Sequence, residues 1–158
     1  MNKLLLSSAL LLASHFALAD VNVESAYVRA VPPGQMNSAA FMQLKNEGPE
    51  DISLVAAKSQ AAKNVELHTH TQDNGVMRMR QVSEISLPAG EAITLQPGGM
   101  HIMLIGLTQN LAAGENISLS LEFSDGSQQA LEVPVEAIMP MPMEKMGDMK
   151  HMHEHKAQ

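Results

Sequence analysis

Asn116-Ile117-Ser118-Leu119-Ser120-Leu121-Glu122-Phe123 alternates polar and apolar residues without a slip. Successive side chains of a strand point to opposite faces, so Ile117, Leu119, Leu121 and Phe123 share one buried face and the serines face water. The same order wound into a helix would scatter the apolar residues around its circumference. Outward from this stretch, the chain reads as a series of short strands. Gln129 to Val135 follows it, and His101 to Ile105, Ala92 to Leu95, Val76 to Val82 and Val65 to His70 precede it. Ile52 to Ala57, Ala40 to Lys45 and Val23 to Arg29 complete the set. Gly, Pro, Asn and Asp punctuate these runs at roughly 8–12-residue spacing, which predicts an all-β sandwich or barrel. No stretch has a helical period, and there is no internal repeat.

Both ends depart from this pattern. Lys3, the apolar run Leu4 to Leu12 and the small-x-small site Ala17-Leu18-Ala19 form the layout of a secretory signal peptide. Residues 1–19 are therefore expected to be removed after Ala19, which places the mature protein, from Asp20, in the periplasm. The apolar run is shorter than the roughly 20 residues a membrane span needs, and no later segment is long and apolar enough, so no membrane span is expected in the mature chain. Residues 20–137 make one domain. Residues 138–158 read as a flexible tail. Within it, Met139, Met141, Met143, Met146, Met149 and Met152 stand with His151, His153 and His155, and no Leu, Ile, Val or aromatic residue occurs from 139 to 155. Such a composition suits metal capture. The competing reading is a packing stripe of Met143, Met146, Met149 and Met152 at three-residue spacing, which Gly147 and the polar neighbours weaken.

Composition narrows the chemistry. The formal net charge of −7 argues against a nucleic-acid partner. There is no cysteine, which excludes a Cys-x-x-Cys oxidoreductase, a blue-copper electron carrier and a Cys-rich zinc site. Thirteen methionines against one Tyr and three Phe leave the thioether as the available soft donor. No Ser/His/Asp or paired-carboxylate constellation stands out, and no enzymatic activity is expected.

Three donor dyads fall on strands: His68-x-His70, Met77-x-Met79 and His101-x-Met103. Residues i and i+2 share a face, so each dyad presents two donors side by side. Gln72-Asp73-Asn74-Gly75 links the first two, and Asn-Gly signals a hairpin. A two-residue loop puts His70 opposite Met79; a four-residue loop puts His68 opposite Met79 and His70 opposite Met77. Either register keeps all four side chains on one face, because they differ by an even number of residues. The third dyad follows Pro97-Gly98-Gly99-Met100, whose glycines permit close backbone approach. Imidazole and thioether without thiolate or carboxylate favour Cu(I) over zinc, magnesium or calcium, and a neutral donor set favours Cu(I) over Cu(II).

The spacing His68-x10-Met79-x21-His101-x-Met103 resembles the H-x10-M-x21-H-x-M motif of the periplasmic copper chaperones called PCuAC. The surroundings Val65-Glu66-Leu67-His68, Gly75 to Arg80, Leu87-Pro88-Ala89-Gly90 and Pro97 to Leu104 are similar too, and Met100 stands where the family usually has a larger, often aromatic residue. The resemblance implies a cupredoxin-like Greek-key β-sandwich, with His68, Met79, His101 and Met103 as Cu(I) ligands. It leaves His70 and Met77 as auxiliary or transfer candidates. It also implies delivery of copper toward the copper centre of cytochrome c oxidase, alongside a Sco-type protein. The tail is expected to form a second copper site, its histidines suited to Cu(II) and its methionines to Cu(I). The alternatives are a periplasmic copper sink without a dedicated recipient and a β-sandwich scaffold with incidental His and Met.

Overall fold

The computed structural model describes residues 20–137. They form ten strands: β1 (Val21–Arg29), β2 (Asn37–Asn46), β3 (Ile52–Lys58), β4 (Ala62–Asp73), β5 (Val76–Gln81), β6 (Ile85–Leu87), β7 (Ala92–Leu95), β8 (His101–Leu107), β9 (Asn116–Phe123) and β10 (Gln128–Glu136). The hydrogen-bonded order is β5-β4-β8-β2-β1-β10-β9-β3-β6, with β7 also paired to β2. Nine strands lie where periodicity predicts them. The tenth, β6, was not anticipated: three residues between Glu84 and Pro88 are too few to display a period, and pairing with β3 supplies the missing constraint.

The chain meets itself where β1 and β10 run parallel, Val28 opposite Val135 and Arg29 opposite Glu136. This bridge joins the β5-β4-β8-β2-β1 half to the β10-β9-β3-β6 half. One hydrophobic core takes residues from both, including Leu44, Leu67, Ile102 and Leu104 from the first and Leu54, Leu119, Leu121 and Val133 from the second. That is the expected sandwich.

Strand parity decides what the first half leaves over. Ile102 and Leu104 of β8 are fully buried in the core, so His101 and Met103 point to the opposite face. Ala40, Met42 and Leu44 of β2 likewise face the core, which sends Ala39 and Phe41 to the donor side. A bulge in β1 between Glu24 and Tyr27, with Ser25 at a φ of 51°, reverses parity there. Val21 and Val28 both reach the core in spite of their odd spacing, and Tyr27 and Arg29 are turned toward the donors. The face that most antiparallel sheets give to water carries the candidate site here.

Candidate metal centre

The hairpin takes its two-residue form. Asp73 pairs with Val76, His70 with Met79, and Asn74 and Gly75 have φ of 49° and 80°. Positive φ at both turn residues is the mirror-image turn that matches strand twist, and Asn-Gly is the sequence that tolerates it. Across the other edge of β4, His68 lies opposite His101 and Glu66 opposite Met103. All three dyads therefore share one face. A cavity of about 420 Å³ opens there, with Met79, His101, Met103 and His70 in its wall together with Arg29 and Phe41. His68 flanks it, its ring centroid 5.8 Å from that of His101. Met77 lies opposite Gln72, farther along the hairpin, 56 % exposed and outside the cavity wall.

His101 is 2 % exposed although it faces away from the core. The Gln96–Met100 loop and Phe41 shelter it, the Phe41 centroid lying 6.2 Å from its ring. Gln96-Pro97-Gly98-Gly99 is a turn closed by Gly99 N–H donating to Gln96 O, and Gly98 at φ 79° occupies a position a side chain would strain. Met100 packs partly against the core. The loop aims the Gly99 carbonyl at two imidazoles: His101 Nδ1 lies 2.9 Å away and His70 Nδ1 3.3 Å. A carbonyl oxygen only accepts, so Nδ1 carries the proton in both rings and Nε2 is left with the lone pair. His68 is held the other way round. Its Nε2 lies 2.8 Å from Glu66 Oε2, and the carboxylate makes Nε2 the donor and Nδ1 the lone-pair nitrogen.

The two lone-pair nitrogens of the motif histidines, His68 Nδ1 and His101 Nε2, are buried and have no hydrogen-bond partner among the described residues. Such atoms are costly to leave unsatisfied. Two orphaned nitrogens on facing residues, with thioethers beside them, fit a bound soft ion. Burial holds the His101 imidazole below its ordinary 6.5. The Gly99 carbonyl opposes this, while His70, His68 and Arg29 add to it. His101 is thus a neutral base with a free electron pair at neutral pH. Arg29 is stacked over Phe41, its guanidinium carbon 5.3 Å from the ring centre, and adds a fixed positive charge to the cavity wall.

Spacing and parity located the four motif residues but missed Glu66. Its signal was its position two residues before His68, on the donor face of the same strand. The tail residues from Met139 to His155 lie outside the described residues, as do residues 1–19, the expected signal peptide.

Residues 21–135 match the family described as putative lipoprotein LpqE-like. The chain belongs to this LpqE-like family, a PCuAC-type family. A putative lipoprotein of Leifsonia xyli subsp. xyli, Lxx21020, is 43 % identical over 116 residues, spanning 73 % of this chain and 69 % of the relative. Among solved structures, the Cu(I) form of DR1885 from Deinococcus radiodurans is 30 % identical with a TM-score of 0.59, covering 78 % of this chain and 81 % of that one. The copper-bound PCuAC domain of PmoF2 has a TM-score of 0.65 at 22 % identity, covering 77 % and 97 %. The last comparison bears on the fold alone. It agrees with the cupredoxin-like sandwich of this LpqE-like chain. No helix among the described residues is long and apolar enough to cross a membrane.

Proposed function

We propose that this LpqE-like protein is a periplasmic copper chaperone. It takes Cu(I) as cargo on His68 Nδ1, His101 Nε2 and the sulfurs of Met79 and Met103, and passes it on without catalysing a reaction. The observation that carries this reading is the pair of buried, partnerless imidazole nitrogens on facing strands. The relative solved as a Cu(I) form supports it. Two imidazoles and two thioethers are neutral, so the loaded site keeps a single positive charge, which the neighbouring Arg29 and the absence of a carboxylate in the cavity wall make preferable to two.

Transfer follows from exposure. Met79 is 47 % exposed on the edge strand, so an incoming donor can displace its thioether before the buried His101 lets go. The recipient we assign is the copper centre of cytochrome c oxidase, approached alongside a Sco-type protein. The tail forms a second copper site on Met139, Met141, Met143, Met146, Met149, His151, Met152, His153 and His155. Glu136, at the end of β10, lies opposite Arg29, which lines the cavity.

Competitive titration with a Cu(I) chelator should show one tight site that fails when His101 is replaced, and X-ray absorption should show two sulfurs and two nitrogens. Absence of sulfur from the copper shell would overturn the assignment. Titration of a chain ending at Ile138 should bind fewer ions than the full chain. Transfer to an apo oxidase copper domain faster than release to a chelator separates the chaperone from a copper sink.

A further inference from the structure

A fixed positive charge stands in the wall of a cavity whose donors suit a cation. Arg29 lines that cavity with Met79, His101 and Met103, and no Asp or Glu stands in the wall. Of the chain's three arginines, Arg78 and Arg80 each reach Asp73. Arg29 takes part in none of the ion pairs among the described residues. Its guanidinium carbon lies 5.3 Å from the centre of the Phe41 ring, and that ring lies 6.2 Å from the His101 imidazole. Its backbone carbonyl accepts from the Ser38 hydroxyl at 2.6 Å, which anchors the base of the side chain. The bulge in β1 puts it there. An unbroken strand would send residues 27 and 29 to the core side with Val21; with the bulge, Val28 takes the core position and Arg29 faces the donors. The local backbone is strained by it, since Ser25 sits at φ 51°, where residues other than glycine are uncommon.

We propose that Arg29 is the specificity-determining residue of the metal site, a charge filter that admits soft monovalent ions, Cu(I) and Ag(I), and disfavours every divalent one. This rests on the copper reading above and names the side chain that sets its selectivity. Arg29 carries no lone pair for a metal and acts only through its field. Coulomb repulsion is proportional to the charge of the ion, so a divalent ion feels it twice as strongly as a monovalent one. For charges on the order of 10 Å apart and an effective dielectric of roughly 40, the repulsion amounts to about fourfold in affinity per unit of ion charge. Cu(I) therefore loses about fourfold and Cu(II) about sixteenfold, the square of the same factor. The difference raises the reduction potential of bound copper and keeps the cargo in the monovalent state. Stacking on Phe41 holds the guanidinium near the site without neutralising it.

The test uses the full chain with His151, His153 and His155 replaced by alanine and one equivalent of metal, so that tail imidazoles do not contribute. Chelator competition gives the Cu(I) and Ag(I) affinities, and equilibrium redox titration gives the midpoint potential of bound copper. Arg29→Gln removes the charge, whereas Arg29→Lys keeps it and loses the flat stack on Phe41. In Arg29→Gln, Cu(I) and Ag(I) should each bind roughly fourfold tighter and Cu(II) about sixteenfold tighter. The potential should then fall by about 35 mV, which is that fourfold ratio at about 59 mV per tenfold for one electron. Arg29→Lys should keep most of the parent potential. An unchanged or raised potential in Arg29→Gln, or an equal fall in both variants, would overturn the proposal. Tight Cu(I) binding by the parent with a potential indifferent to the charge at position 29 sinks this inference alone. No Cu(I) binding by the parent sinks the chaperone reading beneath it.

Discussion

Strands β8 and β5 each offer a donor dyad to the same face, and they could hardly be more differently held. β8 lies between β4 and β2, its alternate residues Ile102 and Leu104 locked in the core, and His101 is almost inaccessible. β5 is the sheet edge, exposed at every residue, with Arg78 and Arg80 near Asp73 on its other face. Charged residues there discourage pairing with another chain. A carrier needs both kinds of support. In the proposed copper site the interior strand positions the nitrogen that recognises the ion, and the edge strand supplies the thioether that can leave. A cage built entirely of β8-like positions would bind and not release.

If that division is right, the two strands respond differently to truncation. His101→Ala should produce the largest change: Cu(I) affinity lower by a factor of 100 or more, together with a loss of about 2 kcal/mol in stability from the emptied site. Chelator competition and denaturant unfolding measure the two effects. Met79→Ala should weaken Cu(I) roughly tenfold, with stability changed by less than about 0.5 kcal/mol, because a half-exposed side chain has little packing to lose. Release of copper to a chelator should be faster. Equal losses of stability in the two variants would erase the distinction between a fixed and a yielding half.

Much of this was legible in the sequence for a definite reason. Period-two alternation in β9 leaves one strand face apolar, and the same parity in His101-Ile102-Met103-Leu104 puts both donors away from the core. The spacing that resembles PCuAC then selected four residues from six. What could not be read was register. Both even-length loops satisfied the face argument, and only the backbone at Asn74 and Gly75 decides for His70 opposite Met79. The consequence is specific: the residue facing Met79 is the histidine outside the motif. The shared Gly99 carbonyl was also hidden, since backbone acceptors leave no mark in side-chain spacing.

Glu66 sharpens the comparison at a smaller scale. Its carboxylate fixes the His68 tautomer, a task the Gly99 carbonyl performs for His101. Glu66→Ala should cost about tenfold in copper affinity, at the lower end of what removing a partner of a ligating histidine does. Nitrogen NMR of the apoprotein reads the cause directly: the His68 ring should shift toward a mixture of tautomers while His101 keeps its own. An unchanged His68 tautomer would mean that the strand, not the carboxylate, orients the ring.

The smallest effect concerns acidity in the copper-free protein. His101 has its proton affinity lowered in the folded state, principally by burial. As pH falls through 6.5 the unfolded chain takes up a proton at this residue before the folded one does. Acid therefore favours unfolding, and the slope persists downward until the folded pKa is passed. Above the ordinary value both states are neutral and the contribution is level. Denaturant midpoints across this range should drop on the acid side in the wild type and flatten in His101→Gln, which keeps a polar side chain without a titrating ring. Cu(I) should extend the slope to lower pH, because an occupied Nε2 takes no proton in the folded state while the unfolded chain still does. If the slope survives in His101→Gln, the buried interior strand is not where the fold senses acid.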